Sequence, residues 1–144
     1  SRGAERMSVI HQMHDAMQLA LKELWPTRTP SLPLATPQEA ITLASVVEKE
    51  TGQPEERAKV AGVFVNRLNQ GIPLQSDPTV IYGMGDAFDG NIRRRDLRTD
   101  TPYNTYTRDG LPPTPIALPG AAALQALALP DFRIEIEVQA VVSS

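Results

Sequence analysis

The stretch from Thr36 to Glu50 constrains this chain more than any other. Thr36 is a candidate N-cap, Pro37 suits the first helical position, and Glu39 stands three residues past the cap. Together these are the pattern that opens a helix. The segment Ala40-Ile41-Thr42-Leu43-Ala44-Ser45-Val46-Val47 is then apolar almost all round until Glu48. A helix without a polar face needs neighbours on several sides, so this one is expected at the centre of a helical core. Gly52 is placed to supply a left-handed residue at its end.

The flanking segments supply those neighbours. Met7, Ile10, Met13, Met17, Leu21 and Leu24 recur at spacings of three and four, which predicts an amphipathic helix over 4–25. Its methionines read as core filler. Pro26 is expected to stop it, and Pro30 and Pro33 mark an extended connector up to Pro37. Pro54 opens a third helix with Glu55 and Glu56 in its first turn, where the dipole favours acids. Its stripe is Val60, Ala61, Phe64 and Leu68, Gly71 closes it, and it reads as structural.

Residues 72–118 change character: Gly, Pro, Asn, Asp and Thr dominate. Short extended pieces are expected at Thr79–Tyr82 and Tyr103–Thr107. An irregular segment of this length in a compact domain is usually functional. Pro119-Gly120 then leads an Ala/Leu helix to about Leu129. Phe132, Ile134, Ile136 and Val138 alternate with polar residues, the period of a half-buried strand. The expected fold class is therefore α+β: a helical core with short strands around a cleft. The 144 residues make one structural domain. It is organised as an N-terminal helix and Pro-rich connector (1–35), a central region (36–130) and a C-terminal strand (131–144).

Charge and composition remove several function classes. The net charge is −3, which argues against a nucleic-acid surface. The run Arg93-Arg94-Arg95 is diluted by Asp86, Asp89, Asp96 and Asp100. Without cysteine there is no thiol chemistry, disulfide or Cys-bound zinc. His11 and His14 lack further ligands nearby, so no metal site is expected, and nothing calls for a cofactor. Gly83-Met84-Gly85 lacks the third glycine of a phosphate cradle, and no nucleophile elbow occurs. No apolar run reaches the ~18–20 residues of a membrane span. The chain starts Ser1-Arg2-Gly3, which suggests a fragment or processed form whose anchor, if any, lies outside it.

Two constellations remain. A carboxyl at Glu48 comes directly after Val46-Val47 on an apolar helix, where desolvation favours the protonated form. Such an acid can donate a proton to a leaving oxygen. Glu50 lies about 200° round the helix, so the two do not share a face, and the pattern alone does not choose between them. Gln75-Ser76-Asp77-Pro78-Thr79 and Tyr103-Asn104-Thr105-Tyr106 combine hydroxyls, amides and aromatic faces. That mixture suits a carbohydrate.

The string Leu43-Ala44-Ser45-Val46-Val47-Glu48-Lys49-Glu50-Thr51 resembles the signature of the YceG-like family of endolytic murein transglycosylases. The likeness continues in order through Val63-Phe64-Val65-Asn66-Arg67-Leu68, Leu74-Gln75-Ser76-Asp77-Pro78-Thr79-Val80-Ile81-Tyr82-Gly83 and Tyr103-Asn104-Thr105-Tyr106. It ends with Gly110-Leu111-Pro112-Pro113 and Pro119-Gly120, so that 36–130 reads as the catalytic region. The resemblance implies a lytic transglycosylase that cuts the β-1,4 bond between N-acetylmuramic acid and N-acetylglucosamine and leaves 1,6-anhydro ends. It implies Glu48 as the single acid and then base, and Gln75, Asp77, Tyr103, Asn104 and Tyr106 as the lining of a glycan cleft. It implies peptidoglycan strands as substrate, cell-wall synthases or division proteins as further partners, and a place at the periplasmic face of the inner membrane.

Members of the family usually carry a transmembrane helix and a small LysM-like subdomain before this region. Thr114 and Leu118 replace more usual residues. After Leu129 the usual Tyr-Phe-Val-Ala-Asp-Gly and Gly-Gly-His segments give way to Asp131-Phe132-Arg133-Ile134-Glu135-Ile136-Glu137-Val138. That altered tail opens a second reading: a weakly active or inactive peptidoglycan-binding or division scaffold.

Overall fold

The computed structural model describes residues 1–131. Six α-helices succeed one another: α1 (Arg2–Thr27), α2 (Pro37–Glu50), α3 (Arg57–Gln70), α4 (Asp77–Met84), α5 (Arg94–Arg98) and α6 (Ala121–Ala126). One-turn 3₁₀ segments lie at Pro54–Glu56 and Gly85–Ala87. Helix α2 is the centre: α1, α3, α4 and α6 all pack on it. Residues 40–47 are all buried, which is what an all-round apolar helix requires. Its start is as expected: the Thr36 hydroxyl accepts the Glu39 N–H at 3.2 Å, and Glu39 Oε1 accepts the Ala35 N–H.

The expected short strands are not there. Among the described residues there is no strand, and the fold is all helix and loop rather than α+β. Thr79-Val80-Ile81 is a β-branched run, yet it lies inside α4. Asp77-Pro78 can occupy a helix's first turn, and the Thr79 hydroxyl bonds back to the Ser76 carbonyl at 2.7 Å. Local start chemistry outweighs strand propensity there. Residues 103–107 form turns instead of an extended piece, because the Asn104 carboxamide takes up the backbone N–H groups a ladder would need. The strand expected over 132–138 lies outside the described residues.

Smaller corrections have equally local causes. Helix α1 continues through Pro26 to Thr27. A proline in the last turn removes only a terminal backbone bond, and the Thr27 hydroxyl donates to the Glu23 carbonyl at 2.9 Å. Only Met17, Ala20, Leu21 and Leu24 of α1 are buried; Met7, Ile10 and Met13 stay exposed. Helix α2 ends on an extended Thr51 rather than a left-handed Gly52. The Thr51 hydroxyl accepts the Gln53 N–H at 3.0 Å and donates to Glu56 at 2.8 Å, and so turns the chain into α3. Gly71 does close α3, with φ +68°. Gly83 lets α4 approach the 101–103 loop, since a Cβ there would sit 2.8 Å from the Thr101 hydroxyl.

Candidate active site

The long segment 72–118 wraps the C-terminal end of α2. The Gln75 N–H donates to the Thr105 carbonyl at 3.1 Å, and the Ser76 N–H to the Thr105 hydroxyl at 3.0 Å. Further along, the Ile116 N–H donates to the buried Ser45 hydroxyl at 3.0 Å. Four residues later the Gly120 N–H donates to Glu48 Oε1 at 2.9 Å. Ser45 and Glu48 are one turn apart, so the 116–120 strip runs along one face of α2.

Glu48 is the first residue of α2 to emerge from the core after the buried Val47. Its side chain keeps 27% exposure. Oε1 takes the backbone donor, so Oε2 is the oxygen left to other partners. Arg57, from the first turn of α3, brings a guanidinium nitrogen to 3.9 Å from that Oε2. A Cβ at Gly120 would stand 3.1 Å from Oε1 and would make the carboxyl give by a few tenths of an ångström.

Glu50 faces a different environment. Its Oε2 accepts the Ser76 hydroxyl at 3.1 Å. Desolvation pushes its pKa up from the ordinary carboxylate value; Asp77 adds to the rise, while the Ser76 bond and Arg67 oppose it. Tyr106 donates its hydroxyl to Asp77 Oδ1 in a short hydrogen bond. Burial and then that bond hold the Tyr106 phenol protonated far above its usual range. Arg67 also donates to the Leu74 carbonyl at 2.6 Å, pinning the loop before Gln75.

The remaining expected site residues divide between surface and core. Gln75 is exposed and sits at φ +56°, the one non-glycine residue with positive φ among the described residues. That conformation costs an L-residue about 1 kcal/mol. Tyr103 is half-buried, hydrogen-bonded to Thr114 at 2.7 Å, and edge-on to the exposed Tyr82 with ring centroids 4.8 Å apart. Asn104 is fully buried, and among the described residues its carboxamide bonds only backbone: it donates to the Leu97 and Thr99 carbonyls and accepts from the Tyr106 and Thr107 N–H groups. It borders a depression of about 310 Å³ in the 102–113 loop. The structure thus joins Gln75, Asp77, Asn104 and Tyr106 through the 75–79/104–106 contact, with Tyr103 on its rim beside Tyr82.

A groove of about 350 Å³ is lined by Lys49, Pro78, Ile81, Tyr82 and Ile116. Lys49 is next to Glu48, and Ile116 belongs to the strip that reaches Glu48. Apolar edges and an exposed phenol ring give this groove the faces a sugar ring's C–H groups pack against. Residue pattern alone assigns no site role to Tyr82, Gly120 or Arg57. For Arg57 a signal existed: a cation in a helix's first turn opposes the dipole.

A model of the YceG-like family matches residues 1–133. The chain belongs to the YceG-like family. An endolytic murein transglycosylase of Bacillus subtilis is 45% identical over 91 residues, which is 63% of this chain and 25% of that protein. One from Streptococcus pneumoniae is 37% identical over 124 residues, 83% of this chain and 22% of that protein. A crystal structure of a YceG-like protein from Listeria monocytogenes shares the fold with a TM-score of 0.60 at 39% identity, over 65% of this chain and 31% of that one. This YceG-like chain therefore spans about a quarter of the curated relatives it matches. Among its described residues no helix is long and apolar enough to cross a membrane.

Proposed function

We propose that this domain cleaves the glycan strands of peptidoglycan as a lytic transglycosylase, with Glu48 as its one acid and base. The observation that carries the reading is the setting of Glu48: a carboxyl emerging from a buried helix, one oxygen held by the Gly120 N–H, and next in the chain to Lys49, which lines a groove with an aromatic wall. Two relatives named endolytic murein transglycosylase support the substrate class.

The reaction needs no second carboxylate. The protonated Oε2 of Glu48 gives its proton to the oxygen that joins C1 of N-acetylmuramic acid to N-acetylglucosamine. The C1–O bond breaks and the N-acetylglucosamine side leaves as an alcohol. The 6-hydroxyl of the muramic acid then bonds to C1, its proton returns to Glu48, and a 1,6-anhydro end results. No water is consumed, whereas a hydrolase places a second carboxylate opposite the first. Glu50 and Asp77 are already engaged by Ser76 and Tyr106.

Gln75, Asp77, Tyr103 and Tyr106 take the roles of cleft residues, and Asn104 holds the loop that presents both tyrosines. Gln75 fits this division: a positive-φ backbone under an exposed amide is a strained position of the kind that clusters at ligand-binding sites. The substrate places the domain's work outside the cytoplasm.

Digestion of purified sacculi, with mass analysis of the products, tests the reading. Anhydro-muramyl ends released by the unmutated protein and not by Glu48→Gln are expected. Reducing ends would mean hydrolysis. Pelleting with sacculi without products would mean a binding module and would overturn the enzyme.

A further inference from the structure

Arg57 is a charged group that no step of the lytic reaction uses. It stands at the first position of α3, at the end of a turn that returns the chain to α2. The Thr51 hydroxyl links Gln53 and Glu56, and Pro54 opens the 3₁₀ turn that leads directly into Arg57. The side chain is only 19% exposed, and its Nε is buried with no hydrogen-bond partner among the described residues. A guanidinium whose task is to tie segments together normally satisfies its fork of donors. Here the charge is also set at a helix N-terminus, which disfavours it. It pairs with the Glu48 oxygen that Gly120 leaves free, at 3.9 Å.

From this geometry we propose that Arg57 is a positioning residue for the reaction: it holds Glu48 Oε2 in place and offsets the negative charge that appears there once the proton has gone to the glycosidic oxygen. The inference rests on the lytic reading of the domain. A preorganised cation near developing charge in a part-buried site lowers the barrier without contacting substrate. The distance fits that task. At 3.9 Å the guanidinium attracts the carboxylate but leaves Oε2 open to the sugar. Removal of Arg57 therefore acts on turnover, not on glycan binding.

Kinetics on soluble glycan strands, read as release of anhydro-muramyl products, make the test. Arg57→Gln is expected to lower kcat by about 100-fold with KM nearly unchanged. Arg57→Lys keeps the charge without the planar fork and is expected to recover about a tenth of the unmutated rate. Pelleting with sacculi should be the same for all three proteins. A raised KM with kcat intact would overturn the proposal in favour of a substrate anchor. Equal loss in both variants, with lowered melting temperatures, would overturn it in favour of a structural role. If Arg57→Gln does not fold, Arg57→Lys decides: activity as low as that of Glu48→Gln overturns the proposal. An unmutated chain that releases nothing overturns the lytic reading and this inference with it.

Discussion

The two flanks of the α2 C-terminus carry one glutamate each, and they are built in opposite ways. Glu48 is held lightly, by one backbone N–H and one guanidinium at 3.9 Å. Glu50 belongs to a side-chain network with Ser76, Asp77, Tyr106 and Arg67 around it. The first arrangement leaves an oxygen available to a substrate. The second uses the carboxyl to bind the 75–79 turn to the core. Two identical side chains two residues apart thus differ in their surroundings because different partners converge on the two sides of one helix.

Exchange of each carboxyl for an amide is the hardest test of that contrast. Glu48→Gln should lower glycan cleavage by about 1,000-fold or more with an unchanged melting temperature. Glu50→Gln should retain cleavage within about tenfold, since an amide can still accept the Ser76 hydroxyl. Comparable losses in the two variants would erase the distinction. Next in size is Gly120→Ala. Its methyl would press on Glu48 Oε1 from 3.1 Å, so cleavage should fall about tenfold with the fold intact.

On the Glu50 flank, Tyr106→Phe removes the donor to a carboxylate and should cost about 1–2 kcal/mol in denaturant unfolding, with only a minor change in turnover. An equally large kinetic effect would move Tyr106 into the chemistry. The smallest effect is on pH dependence. Glu50 binds its proton more tightly in the folded protein than in the unfolded chain, which has the ordinary value near 4.5. Its contribution is therefore fully present below that value and is lost as pH rises through the folded-state pKa. Melting curves from acid toward neutral pH should show Glu50→Gln gaining on the unmutated protein. A loss over the same range would contradict the upward shift assigned to this carboxyl.

Helix α2 was legible from its cap through its buried body, though not in how it ends, because burial on all sides writes itself as an unbroken apolar run with a cap in front of it. The end of α3 at Gly71 was legible for a similar reason, a left-handed position that glycine fills without cost. Helix α4 was not. Its β-branched residues look like strand until the Ser76–Thr105 contact and the Asp77-Pro78 start settle the matter. In the site, the candidate carboxyls and the polar strings were visible, but Asn104 shows the limit. Its residue type suits a sugar ligand, and only the fold turns its four hydrogen bonds onto backbone.

By itself the amino-acid sequence determined the central helix, the family motifs and the short roster of residues with chemistry to offer. Those features are local, carried by periodicity, capping and residue type within a few turns of chain. The tertiary structure alone decided what each glutamate meets. That choice depends on Gly120, 72 residues away in sequence, on Arg57 after a tight turn, and on Ser76 reaching Glu50 across 26 residues. Helical period specifies the direction of a side chain but says nothing of what the folded chain brings to meet it.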